Sequence, residues 1–144
     1  MRKGLMGLAT VAALALGSTV GFAEDKAYTV GVSIPAADHG WTSGVVFHAN
    51  RVAEQLMATH PGLNIIVKTS PDPASQANAL QDLETQGIDA LVILPSDPDP
   101  LVNSIKEIKA KGTFVALVDR APSVNDDSVR DLYIAGNNYS LGET

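Results

Sequence analysis

Asp119 and Arg120 set a carboxylate beside a guanidinium directly after an apolar run, and Asp38, His39 and Trp41 cluster a few residues after another such run. A carboxylate accepts hydrogen bonds from paired hydroxyls, and a guanidinium donates in a rigid fork. An indole face stacks on the C–H side of a sugar ring. Together these groups suit a polyhydroxylated ligand. Residue type alone leaves plainer uses open: Asp119-Arg120 as a surface pair in an ordinary turn, and Trp41 as a staple that packs a helix onto a sheet. Position in the fold has to separate these readings.

The elements that would supply those positions are legible in the hydropathy pattern. Tyr28 to Ile34 is rich in β-branched and aromatic residues and stops at Pro35, as a strand does. From Thr42 to Thr59 the apolar residues Val45, Ala49, Val52, Ala53 and Leu56 recur at helical spacing until His60-Pro61-Gly62 breaks the pattern. Leu63–Thr69 reads as a second strand and Ala74–Gln86 as a second helix, with Gly87 as its C′ residue. Asp89–Pro95 has a continuous apolar centre, which predicts a strand near the middle of the sheet with both faces covered. Ser96-Asp97-Pro98-Asp99 opens a third helix with a cap, a first-turn proline and acidic residues, and Gly112 closes it. Thr113–Asp119 and Leu132–Ala135 complete the strands. Strands alternating with helices predict an α/β fold with a doubly wound parallel sheet. In such sheets ligands bind beyond the carboxyl ends of the strands. The loops that matter are therefore Ala36–Thr42, Ser96–Asp99, Asp119-Arg120 and Gly136–Asn138.

Composition excludes several function classes. Ten Lys and Arg against sixteen Asp and Glu give a net charge of −6, without any basic cluster, which disfavours nucleic acid and anionic lipid as partners. The absence of cysteine rules out disulfides and thiolate metal sites. No serine sits in a G-x-S-x-G elbow, and neither a G-x-G-x-x-G turn nor a P-loop follows the first strand. Neither an enzyme nor a cofactor is expected. His48 and His60 read as surface residues of the first helix, and a metal site is not expected.

The first 23 residues have the pattern of a cleaved secretory signal. Arg2 and Lys3 form a cationic head, Gly4 to Val20 is almost uncharged and apolar, and Gly21-Phe22-Ala23 supplies small residues at the cleavage point. Cleavage after Ala23 would leave an acidic mature chain in the periplasm, with no stable membrane insertion.

The runs VGVSIP, HGW, SPDPASQANALQDLETQGIDALVILPSDPDPL, VALVDR and IAGNNYSLGE, in this order and spacing, resemble the ribose-binding-protein-like group of periplasmic sugar-binding proteins of ABC transporters. The resemblance runs from Thr29 to Thr144 and implies the first of two lobes plus the first hinge crossing. It divides the chain into a signal (1–23), an N-terminal sugar-binding lobe (24–136) and a crossing that opens a second lobe (137–144), so that the chain reads as truncated. The implied function is capture of a sugar or polyol for an ABC importer, with a permease reading the lobe surface. The same fold also serves as the periplasmic ligand-binding component of chemotaxis or sensor-kinase systems. The resemblance gives Asp119 and Arg120 the role of hydrogen-bonding sugar hydroxyls, and Trp41 with Asp38 or His39 that of first-loop contacts. Asn137 and Asn138 match the hinge crossing, with ligand contact and a hinge role alone both open. Where a ribose-type site has two adjacent aromatics this chain has Gly40-Trp41, so pentose specificity is not implied.

Overall fold

The computed structural model describes residues 27–137. The expected signal and the expected helix start beyond the hinge residues, Asn138 included, lie outside the described residues. The elements are β1 (Tyr28–Pro35), α1 (Gly40–Thr59), β2 (Leu63–Ser70), α2 (Pro73–Thr85), β3 (Ala90–Ile93), α3 (Pro98–Ala110), β4 (Phe114–Val118) and β5 (Leu132–Ile134). The strands form one sheet in the order β2-β1-β3-β4-β5. All pairs are parallel, with Val30 opposite both Ile65 and Ala90, and Ala116 opposite Leu132. The order reverses between β1 and β3. This is the switch point at which the loops after neighbouring strands diverge and leave a crevice.

One face of the sheet is closed. Leu80 and Leu83 of α2 and Leu101, Ile105 and Ile108 of α3 pack on Leu91 and Ile93 of β3 and Val115 and Leu117 of β4. Gly31 of β1 lies under this layer. A Cβ there would stand only 3.0 Å from Ile88 Cδ1 and 3.1 Å from Leu83 Cδ1, so a larger residue fits only if those side-chain ends give by a few tenths of an ångström. Gly87 ends α2 with φ 71°, the left-handed conformation expected of a C′ residue.

Among the described residues the other face carries only α1, which packs on β2 and β1. The expectation that β3 is covered on both faces is therefore not met in the described residues. Val92 of β3 lines an open apolar groove with Val32, Ile34, Val45, Ala49, Leu94 and Val118. Farther along the same face Phe114 is 48% exposed and Ile134 52%. The apolar stripe of α1 also divides. Ala53 is buried against the sheet, whereas Val52 and Leu56 lie at the groove and remain largely exposed.

Candidate functional site

The first loop is organised by Thr42, which is almost fully buried. Its Oγ1 accepts the N–H groups of Asp38 and His39, both at 3.2 Å, and donates to Asp38 Oδ1 at 2.7 Å. These bonds satisfy donors at the start of the helix, and α1 begins at Gly40, two residues earlier than the apolar spacing indicates. They also fix the Asp38 carboxylate at the mouth of the sheet. The Thr42 hydroxyl, helped by the Asp38 N–H and the neighbouring His39, holds that carboxyl below the usual carboxylate range. His39 Nε2 lies 3.5 Å from Asp38 Oδ1.

At the end of β4 the backbone makes an unusual turn. The Arg120 N–H donates to the Val118 carbonyl at 2.8 Å, closing a three-residue turn with Asp119 at its centre. Asp119 has φ 63° and is the sole non-glycine residue with positive φ among the described residues. Such a conformation persists only where surrounding bonds over-determine it, and it concentrates at functional sites. Here the bonds come from β5. The Asp119 N–H donates to the Ile134 carbonyl at 2.7 Å, and Tyr133 Oη donates to the Asp119 carbonyl at 2.8 Å. The Asp119 and Arg120 side chains remain adjacent, Nε to Oδ2 3.9 Å, and each about one-third exposed. Arg120 Nη1 donates to the carbonyls of Pro95 and Ser96 at 3.2 and 2.9 Å. The guanidinium is thus tied to the loop after β3 with donors left over.

Asp38, His39 and Arg120 converge on one cleft of 320 Å³, lined also by Pro35, Thr42, Asp72, Ser96 and Asp97. It lies at the carboxyl ends of β1 and β3, at the switch point, and has the size of a small-molecule site, for which about 300 Å³ is the lower end. Asp119 stands beside it. Trp41 does not join these polar groups: it is 51% exposed and lines the apolar groove with Ile34, Leu94 and Val118. Asn137 is exposed at the end of the described residues, beyond β5.

Three further residues line the cleft: Asp97 and Thr42, from loops the sequence points to without naming them as contacts, and Asp72, from a loop it does not point to. Asp97 caps α3 without a side-chain cap bond, which leaves its carboxylate to the cleft. Asp72 also lines the cleft, but its oxygens accept from the Ser75 N–H and hydroxyl at 2.7 and 2.9 Å, a cap legible from the Asp-Pro pair opening α2. Thr42 is legible as the last residue of an Asp-x-x-x-Thr pattern at a helix start, four positions after Asp38. Carboxylates outnumber cationic groups around the cleft, so it favours hydroxyl donors over phosphate or carboxylate ligands. Among the described residues no group of three or more His, Asp or Glu could hold a metal ion.

Residues 30–144 match the sequence profile of the family described as "Periplasmic binding protein domain". The chain belongs to this family. The ribose import binding protein of Bacillus subtilis (strain 168) is 29% identical over 119 residues, covering 82% of this chain and 36% of that protein. The D-xylose-binding periplasmic protein of Escherichia coli (strain K12) is 35% identical over 69 residues, 48% of this chain and 20% of that protein. Among solved structures, the periplasmic binding protein component of the arabinose ABC transporter from Shewanella sp. ANA-3 superposes with a TM-score of 0.65 at 28% identity, covering 75% of this chain and 34% of that one. The chain therefore spans between a fifth and about a third of the length of the two curated relatives. The names of these family members describe binding and transport proteins, not enzymes. The α/β parallel sheet is the one this family shares.

Proposed function

We propose that this chain is the N-terminal lobe (24–136) of an extracytoplasmic solute-binding protein that captures a sugar or polyol for an ABC importer. Residues 1–23 act as its cleaved export signal, and residues from Asn137 onward lead across the hinge into a second lobe. The observation that carries the reading is the convergence of Asp38, His39 and Arg120 on one cleft at the switch point, with Asp119 beside it in a turn braced by β5. Carboxylates accept from sugar hydroxyls, the guanidinium donates to ring and hydroxyl oxygens, and neither group has to supply or remove a proton. The acidic surround favours a neutral ligand, and the named relatives of the family bind ribose, xylose and arabinose. In this reading the exposed indole of Trp41, on the apolar groove rather than in the cleft, is offered to the C–H face of a sugar.

Affinity in such an arrangement comes from closing two lobes around the ligand, because one lobe makes only part of the contacts. The test is calorimetric titration of the full-length polypeptide with D-ribose, D-xylose, L-arabinose, D-glucose and glycerol, beside an amino acid and a nucleotide. Saturable binding of one sugar or polyol is expected. Binding of the amino acid or nucleotide alone would overturn the reading. In vesicles carrying the cognate permease and ATPase, the sugar-loaded protein stimulates ATP hydrolysis; an effect on a receptor kinase instead would assign it to signalling.

A further inference from the structure

Gln76 is fully buried in the first turns of α2, away from the cleft surface. Every hydrogen-bonding position of its carboxamide is used. Nε2 donates to Ser33 Oγ at 3.1 Å and to the Leu94 carbonyl at 3.0 Å. Oε1 accepts from the Ser96 N–H and from Ser96 Oγ, both at 2.8 Å. A primary amide offers two donors and one oxygen with two lone pairs, so the side chain is saturated. Its bonds straddle Pro95, which has no N–H of its own: Gln76 takes the carbonyl before the proline and the N–H after it, as a neighbouring strand would.

The Ser96 N–H and the Pro95 carbonyl belong to one planar peptide group and point to opposite sides of it. Gln76 holds the N–H end, and Arg120 Nη1 donates to the carbonyl end. The Ser96 carbonyl, the second acceptor of Nη1, belongs to the next peptide and turns with the same residue. We infer that Gln76 is a positioning residue for Arg120: by fixing the Pro95–Ser96 peptide from beneath, it sets the direction in which the guanidinium meets the ligand. It touches no ligand itself. The inference deepens the sugar-site reading and rests on it for the affinity measurement alone.

The test uses the full-length polypeptide. Gln76→Met keeps the volume and removes the bonds, and Ser33→Ala removes one bond of the same amide on the side away from Arg120. The first readout is rotation of the Arg120 guanidinium in ¹⁵N spectra, its signal assigned by its loss in Arg120→Lys. Restricted Nη1 rotation is expected in the wild type and in Ser33→Ala, and free rotation in Gln76→Met. The second readout is Kd for whichever of D-ribose, D-xylose, L-arabinose, D-glucose or glycerol the wild type binds. It should rise about tenfold in Gln76→Met, as expected when a charge-assisted hydrogen bond is misaligned, and less than about twofold in Ser33→Ala. Unchanged Arg120 rotation in folded Gln76→Met, or equal loosening by Ser33→Ala, overturns the inference. If Gln76→Met does not fold, Gln76→Glu replaces it: its carboxylate still accepts both Ser96 donors, so restricted rotation must survive, and free rotation in the folded variant overturns the inference. If none of these sugars and polyols binds the wild type, the sugar reading falls, while the rotation measurement still tests the positioning.

Discussion

Replacing Asp119 separates backbone strain from ligand contact, because alanine and glycine remove the same carboxylate but respond oppositely to φ 63°. A left-handed conformation costs an L-residue roughly 1 to 2 kcal/mol, aspartate lying towards the low end, and glycine almost nothing. The carboxylate's own pairing with Arg120 is partly exposed at 3.9 Å and contributes no more than about 1 kcal/mol to stability. Asp119→Ala therefore keeps the strain, loses the pair and destabilises by about 1 to 2 kcal/mol. Asp119→Gly loses the same pair but sheds the strain, offset by about 0.5 to 1 kcal/mol of extra unfolded-chain entropy, and ends near neutral. Binding should not follow that split. Both variants lose the acceptors for sugar hydroxyls, and each should bind about 2 to 5 kcal/mol more weakly, roughly thirtyfold or more in Kd. Urea unfolding and calorimetric titration of the two variants side by side supply both numbers. Wild-type affinity in Asp119→Gly would refute the ligand role, and equal stability of the two variants would refute the strain.

Arg120→Ala should weaken sugar binding over the same range of about 2 to 5 kcal/mol, because it leaves the ligand's acceptors unpaired; titration of the folded variant checks it, with a lower stability expected as the Pro95 and Ser96 carbonyls lose their donor. Asp131 accepts from Lys109 Nζ and the Val115 N–H, the Lys109 bond foremost in holding its carboxyl below the usual range. A depressed folded-state value stabilises above the unfolded value of about 3.9 and is lost as pH falls through the folded value. Asp131→Asn should therefore cost about 1 kcal/mol at pH 7, and the gap should close below about pH 4 in denaturant titrations across pH. Gly31→Ala should destabilise by about 1 to 3 kcal/mol, since its Cβ meets Ile88 Cδ1 at 3.0 Å; wild-type unfolding would show that α2 shifts freely. Residues 24–144 produced alone should associate or bind a hydrophobic dye through the face carrying Trp41, Phe114 and Ile134, and a dye-silent monomer in sedimentation would contradict this.

The elements were legible because each carries its own period and punctuation: the strands as β-branched runs ending at Pro35 or before Asp119, the helices as stripes closed by Gly87 and Gly112. Their boundaries moved where a side chain intervened, as at α1, where Thr42 bonds draw the helix back to Gly40. Asp38, His39 and Arg120 were legible as neighbours because loops after parallel strands share one edge. The direction of Trp41 was not, since an indole in the first turn of a helix can lie over the cleft or against the sheet, and packing alone decides. Gln76 was illegible for a different reason. It shares the helical spacing of Leu80 and Leu83, so the stripe accounts for its burial, but the partners of its amide stay hidden until the sheet places Ser33, Leu94 and Ser96 around it. The continuous apolar run of β3 signalled two buried faces, whereas among the described residues one of them stands open beside α1.

The most direct test of the sugar site is a titration of ¹⁵N-labelled full-length polypeptide with D-ribose, D-xylose, L-arabinose, D-glucose and glycerol, followed residue by residue through the backbone amides. Saturable shifts are expected for at least one of these ligands, centred on Asp38–Thr42, Ser96-Asp97 and Asp119-Arg120, and abolished by Arg120→Ala. Saturable shifts that avoid those three loops, or that survive Arg120→Ala undiminished, would contradict it.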